Sequence, residues 1–156
     1  MIVCQDVSDP LNIGSLFRLA DALGISAIYC CGQSPVPPNR RIAKTARSTH
    51  QWVPYHYRST TTETLEELRI AGYTLIGLEI TDQSKSLTES DFTTHQPLAL
   101  IIGAESKGLL PETLALLDLA VHIPMYGRNT SMNVVQACGI ALYEITRQLG
   151  TTGHWY

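Results

Sequence analysis

Leu98-Ala99-Leu100-Ile101-Ile102 runs directly into Gly103-Ala104-Glu105-Ser106-Lys107-Gly108-Leu109. The first five residues are continuously apolar. They show neither the alternation of a half-exposed strand nor the period of an amphipathic helix. Such a run fits a strand buried on both faces, as in a parallel sheet covered by helices. The polar, glycine-flanked residues that follow sit where that strand would leave the sheet. Two further strand exits are decorated in the same way: Asn12-Ile13-Gly14-Ser15-Leu16-Phe17-Arg18, and Ile123-Pro124-Met125 continuing through Tyr126, Gly127, Arg128, Asn129, Thr130, Ser131 and Met132 to Asn133-Val134. In an open α/β sheet, ligands bind outside the carboxyl ends of the strands. Three decorated exits therefore point to a single ligand site.

The rest of the chain supports this frame. Ile2-Val3-Cys4-Gln5 reads as a strand, and Asp9-Pro10 stops it and turns the chain. A helix is predicted over residues 13–23, with Asn12 as its N-cap and Ile13, Leu16, Phe17, Ala20 and Leu23 on its apolar stripe. Residues 26–31 form the next strand, and the three prolines of residues 33–38 impose a loop. Residues 39–45 read as a short basic helix and Trp52-Val53-Pro54 as a short extended piece. Thr60 and Glu63 have capping-box spacing and open a helix reaching about residue 71. Residues 73–80 form a strand, and 81–95 a polar connection without a pattern. A helix over 111–117, a strand over 119–123 and a last helix over 134–149, ended by Gly150, complete the order. Strand and helix alternate, which predicts one α/β domain over residues 1–156 with a mostly parallel sheet.

Composition sets the outer bounds. The chain has 156 residues, 44% apolar and 16% charged, which suits one packed domain. No apolar run approaches the roughly 20 residues needed to cross a bilayer, and the first residues lack a signal peptide's features, so a cytoplasmic protein is expected. Cys4, Cys30, Cys31 and Cys138 form no Cys-x-x-Cys pair. His50, His56, His95, His122 and His154 are scattered, so buried thiols, surface imidazoles and no metal are expected. Net charge is −3, yet residues 1–58 hold six basic against three acidic groups, and residues 59–156 five against eleven. Arg40, Arg41, Lys44 and Arg47 form a local cationic patch, suited either to docking one polyanion or to a solvated helix face.

Each loop admits a chemical and a purely structural account. On a helix starting at Ile13, Arg18 lies back over Gly14, near an anion-binding helix end, and suits a phosphate or a developing oxyanion. The alternative pairs Arg18 with Asp21 and leaves Asn12 only a cap. The second loop lacks Gly-x-Gly-x-x-Gly and Gly-Lys-Ser/Thr; its Glu105 suits a hydroxyl, an amine or a cation, and the alternative is an ordinary strand-to-helix turn. In the third loop, capping needs at most Asn133 and Gln136. Ser131 and Arg128 are left without a structural duty.

Taken together, the three segments resemble the signature motifs of the SpoU (TrmH) group of the SPOUT RNA methyltransferases. Asn12-Ile13-Gly14 with Arg18 is similar to the first motif, and Gly103, Glu105 and Gly108-Leu109 to the second. Ile123-Pro124-Met125 with Ser131-Met132-Asn133-Val134 is similar to the third. The resemblance implies an α/β-knot (SPOUT) fold with a deep C-terminal trefoil knot, an exception to the usual rule. It implies transfer of methyl from S-adenosylmethionine to a ribose 2′-hydroxyl of tRNA or rRNA, and a homodimer whose site draws on both subunits. It makes Arg18 the catalytic arginine, with Asn12, Glu105, Ser131 and Asn133 as site residues. Leu78, Gly103, Ile123, Ser131 and Met132 would hold the methyl donor. Arg40, Arg41, Lys44, Arg47 and Arg128 are the residues expected to meet RNA. Two positions depart from the family pattern: Met132 replaces the commoner Leu, a volume-conserving change, and Val135-Gln136 stands where small or apolar residues are usual, which a capping role for Gln136 would absorb. The chain begins directly at its first strand, so no N-terminal RNA-binding extension is expected, and tRNA is favoured over rRNA. The competing readings are an rRNA enzyme, a non-catalytic RNA-binding module on the same fold, and a flavodoxin-like or Rossmann-like nucleotide binder. The last would want a glycine-rich first turn, where residues 10–18 offer one glycine.

Overall fold

The computed structural model describes residues 1–150; His154 lies outside them. Seven strands form one sheet: β1 (Ile2–Gln5), β2 (Ile28–Cys31), β3 (Tyr55–Arg58), β4 (Thr74–Leu78), β5 (Lys85–Ser86), β6 (Leu98–Ile102) and β7 (Leu119–His122). Their order is β3-β2-β1-β6-β4-β7-β5, and every pairing is parallel. The apolar run of β6 lies between β1 and β4 with all five residues buried. Parallel strands need crossovers over the sheet faces. Here α1 (Pro10–Ala22), α2 (Arg40–Ala46), α3 (Thr61–Ile70) and α4 (Pro111–Leu114) lie in the crossovers, and α5 (Val134–Leu149) follows the last strand.

Two apolar layers result. On one face α1, α2 and α5 cover Ile2, Cys4, Ile28, Cys30, Leu100 and Ile102. On the other, Leu65 and Leu68 of α3 cover Val3, Cys31, Leu75, Ala99 and Ile101. The adjacent Cys30 and Cys31 fall into opposite layers, as the two-residue period of a strand requires. Among the described residues no helix is long and apolar enough to cross a membrane.

The structure differs from the sequence reading at several places. Helix α1 begins at Pro10 rather than residue 13, and its N-cap is Asp9, whose carboxylate accepts from Leu11 N–H at 3.0 Å. Proline fits the first helical turn, where no N–H is needed, and aspartate is a strong N-cap. Asn12 therefore has no capping duty and is released for other contacts. Strand β3 was hidden because the extended signal was assigned to Trp52-Val53-Pro54, which precedes it. Residues 81–95 contain the two-residue β5 and a 3₁₀ turn (Leu87–Glu89), both too short for any periodicity to show. Helix α4 stops at Leu114. The strand-helix alternation breaks between β4 and β6, where no α-helix intervenes.

Gly14 also has a different duty. A Cβ there would collide with the Thr45 hydroxyl and the Ile42 carbonyl of α2, so the space beside it belongs to α2 and not to Arg18. Thr45 Oγ1 donates to Leu11 O across the same contact at 2.9 Å. Gly14 thus sets the close approach of the two helices. In an unobstructed helix, Gly→Ala gains about 1 kcal/mol. At a filled site, overpacking costs about 1–3 kcal/mol. Gly14→Ala is therefore expected to lower the urea midpoint of unfolding with little change in slope. A raised midpoint would show that the helices can part freely.

Candidate active site

The exits of β4, β6 and β7 open on one side of the sheet and enclose a cavity of about 470 Å³. Its walls are residues 78–81 after β4, residues 102–109 around the end of β6, and His122, Ile123, Met125, Thr130, Ser131 and Met132 after β7, with Val134 and Ala137 of α5 behind. Leu78, Gly103, Ile123, Ser131 and Met132, the five residues expected to hold a methyl donor, all line it, and so does Glu105.

The loop after β6 is tightly determined. Ala104 and Gly108 form an isolated bridge, with Gly108 N–H donating to Ala104 O at 2.8 Å. A Cβ on Gly103 would run into the Gly108 carbonyl and come within 2.6 Å of Leu109 N, so only glycine lets the loop fold back on itself. Gly108 adopts φ +63°, the left-handed region that favours glycine. Two residues missed by sequence reasoning hold this turn. Glu79 accepts from Leu109 N–H at 2.9 Å and from Ile80 N–H at 3.0 Å. Gln5, 1% exposed, donates to Gly108 O at 3.4 Å and accepts from the Thr113 hydroxyl. A polar residue at a strand's last position, as at Gln5 and just beyond β4 at Glu79, was the available signal.

At the cavity mouth the three loops are joined by side chains. Asn133 caps α5 through its Oδ1, which accepts from Val135 N–H at 2.9 Å and Gln136 N–H at 3.4 Å. Its Nδ2 is thereby turned outward and donates to Asn12 Oδ1 at 3.2 Å. Asn12, oriented in turn, donates through Nδ2 to Glu105 Oε1. An ionised carboxylate can only accept, so the chain ends there with every polarity consistent. Gln136 makes no return bond to the cap, so the capping box expected from its spacing is absent; its exposed side chain simply tolerates the position.

The remaining expected residues lie outside the cavity. Arg18 is exposed and has no ion pair or hydrogen bond among the described residues. Its alternative partner Asp21 instead accepts from the Trp52 indole N–H at 2.7 Å. Arg40, Arg41, Lys44 and Arg47 are all exposed on and just after α2, and Arg41 pairs with Asp9 at 3.1 Å. Arg128 is exposed on the third loop. The thiols offer no nucleophile. A hydrogen bond with Cys30 and burial hold Cys4 well above the usual thiol range, and burial pushes Cys138 up to about 12. Among the described residues, no group of three or more His, Cys, Asp or Glu could hold a metal ion.

Comparison with known proteins bears on this arrangement. The chain is 36% identical over 148 residues to the 23S rRNA (guanosine-2′-O-)-methyltransferase RlmB of Ralstonia nicotianae, covering 95% of this chain and 58% of that protein. It thus spans little more than half of that relative's length. An AdoMet-bound rRNA methyltransferase from Sinorhizobium meliloti superposes with a TM-score of 0.88 at 28% identity, over 95% of this chain and 56% of that one. A structure described as giving insights into the 2-OH methylation of C/U34 on tRNA matches with a TM-score of 0.81 at 25% identity, over 96% of this chain and 95% of that one. The model of the SpoU rRNA Methylase family runs from residue 1 to residue 143, through all seven strands and into α5. It takes in Asn12, Glu105 and Asn133, the same residues that close the cavity mouth, and the chain belongs to that family.

Proposed function

We propose that this chain transfers a methyl group from S-adenosylmethionine to a ribose 2′-hydroxyl of RNA. The observation that carries the reading is the hydrogen-bonded series Asn133, Asn12, Glu105 at the mouth of a cavity lined by all five residues expected to hold the donor. The cavity suits that donor chemically. Leu78, Ile102, Leu109, Ile123 and Met132 offer apolar surface for a flat heterocycle, and the Glu105 carboxylate suits a sulfonium or ammonium cation. When bound, S-adenosylmethionine supplies a methyl group on positively charged sulfur. The protein's task is then to align the attacking oxygen and stabilise it. Ser131 and Asn133 orient the ribose, and Asn12 and Glu105 keep the loops in register around it. Arg18 stabilises the attacking oxygen or the adjacent phosphate as a cation.

Arg18 projects from α1 without a partner among the described residues and does not line its own chain's cavity, which supports a homodimer in which it serves the neighbour's site. A surface for that dimer is available beside α1. Ile140 and Tyr143 of α5 are 45% and 63% exposed, one helical turn apart. Gly139, just before them, faces Leu19 of α1. A knotted C-terminal segment is part of the same reading, supported by the return of α5 after β7 to pack on α1, β4 and β6. The exposed cations of α2 are the RNA backbone contacts. tRNA is favoured over rRNA, supported by the tRNA-related structure that matches nearly end to end.

Labelled methyl transfer to total tRNA and, separately, to rRNA tests the activity; no incorporation into either would end it. Arg18→Ala should reduce transfer at least a hundredfold while S-adenosylmethionine binding, read by calorimetry, stays within twofold; undiminished transfer would remove Arg18 from the mechanism. Replacing Arg40, Lys44 and Arg47 with glutamine should weaken RNA binding and flatten its dependence on salt, each lost phosphate contact reducing the logarithmic slope by about 0.7–0.9. Tyr143→Glu with Ile140→Asp should convert a dimer to a monomer in sedimentation, and an unchanged mass would place the interface elsewhere.

A further inference from the structure

One side chain in the cavity wall has a chemistry that the proposed reaction leaves unused. His122, the last residue of β7, lines the cavity and is half-buried. Resting on the reading of the cavity as the S-adenosylmethionine site, we propose that His122 reads the adenine of the donor, its Nε2 accepting a hydrogen bond from the exocyclic N6 amine.

The ring is fixed by its other nitrogen. Nδ1 lies 2.9 Å from Ser84 Oγ. That hydroxyl accepts from Thr81 N–H at 3.0 Å and donates to Thr81 O at 2.8 Å. A hydroxyl has one proton, and here it is committed to Thr81. Ser84 therefore receives the Nδ1–H of His122, and in the neutral ring the acceptor is left at Nε2, a tautomer assigned from the bonds around it. Nε2 has no hydrogen bond among the described residues, yet it is not sealed from solvent. The wall that carries it is anchored as well. Leu78 pairs with Val121, Glu79 N–H donates to Val121 O at 3.0 Å, and Ser86 of β5 pairs with His122. Thr81 also lines the cavity, so the turn that grips Nδ1 is part of the same wall.

Position along the sheet identifies the part of the donor that His122 meets. The methyl group leaves at the cavity mouth, where Asn12 joins Asn133 to Glu105 after β6. From β6 the strand order runs through β4 to β7. Two strand spacings put the end of β7 about 10 Å from the exit of β6. In S-adenosylmethionine the ribose hydroxyls and the amino-acid head lie within a few bonds of sulfur, and the amine edge of adenine is the part farthest from it. A sulfonium held at the mouth therefore sends that edge toward His122. The surroundings suit it. Ile80, 57% exposed, leaves apolar surface open beside Leu78 and Thr81, and a bound ring would cover it. Glu79 already accepts from Leu109 N–H and Ile80 N–H, which leaves His122 to take the amine. Hypoxanthine carries a carbonyl where adenine carries the amine, so it would set two acceptors against each other. A site built around one hydrogen bond rejects an analogue that cannot make it.

Calorimetry on the full chain tests the assignment, with S-adenosylmethionine, S-adenosylhomocysteine and S-inosylhomocysteine as ligands. The unsubstituted chain should bind S-adenosylhomocysteine about tenfold more tightly than the inosyl compound, the effect of one hydrogen bond lost and one acceptor left unpaired. Two amides then separate recognition from support. In His122→Asn the amide overlies Nδ1 and keeps the contact with Ser84; in His122→Gln it overlies Nε2 and keeps the contact with adenine. His122→Asn should lose about tenfold in affinity for both adenosyl compounds and the preference over the inosyl one, and His122→Gln should retain both. A purely supporting histidine predicts the reverse order. Equal binding of S-adenosylhomocysteine and S-inosylhomocysteine by the unsubstituted chain, a comparison that needs no variant, would overturn the assignment. So would a preference that survives His122→Asn, or a His122→Gln chain that binds no better than His122→Asn. Failure of the unsubstituted chain to bind either adenosyl compound would instead remove the donor reading, and this inference with it.

Discussion

Two side-chain amides and a carboxylate fix how the sheet's exits meet. The α5 N-cap turns the Asn133 side chain so that its nitrogen must point outward. That nitrogen dictates which way Asn12 faces, and Asn12 dictates that the group beyond it must accept. A carboxylate accepts, so the direction of every bond in the series is consistent. The three segments are therefore coupled through Asn12: moving either loop breaks its bond to Asn12, and moving Asn12 breaks both. The geometry of the cavity mouth follows from this single directional constraint.

The scaffold beneath is correspondingly stiff. Gly14 sets α2 close to α1, Gly103 folds the second loop onto itself, and Glu79 and Gln5 clamp that loop from two strand ends. Gly103 and Glu79 also line the cavity, so a positional error in that loop would reach the site directly. Such stiffness suits transfer between two bound partners, where most of the barrier reduction comes from alignment.

Much of this was legible in sequence because it rests on strong local rules. The continuous run of β6 announced a buried parallel strand, and α5 was readable from Asn133 to Gly150 because both its caps are chemically distinctive. The loops stood out because Ser131, Glu105 and Arg18 had no packing duty. What was hidden depends on distance in sequence. Asp9 took the cap assigned to Asn12, which freed Asn12 for partners 93 and 121 residues away. Gly14 answers to a helix 30 residues on, and β5 is a strand only because β7 lies beside it. Glu79 and Gln5 act on a loop to which nothing in their own neighbourhood points.

The order of the strands has a consequence for how the protein is made. The N-terminal strand β1 is central, and one of its two partners, β6, lies almost a hundred residues later. As the chain emerges N-terminus first, β1, α1, β2, α2 and β3 can gather as a unit. One flank of β1 then stays unpaired until β6 is synthesised. Asn12 is present from the start, but its two partners arrive with the second loop and then with the N-cap of the last helix. The cavity mouth is thus the final part to close, and a chain cut short after β7 would carry all seven strands with Asn12 bonded to Glu105 alone.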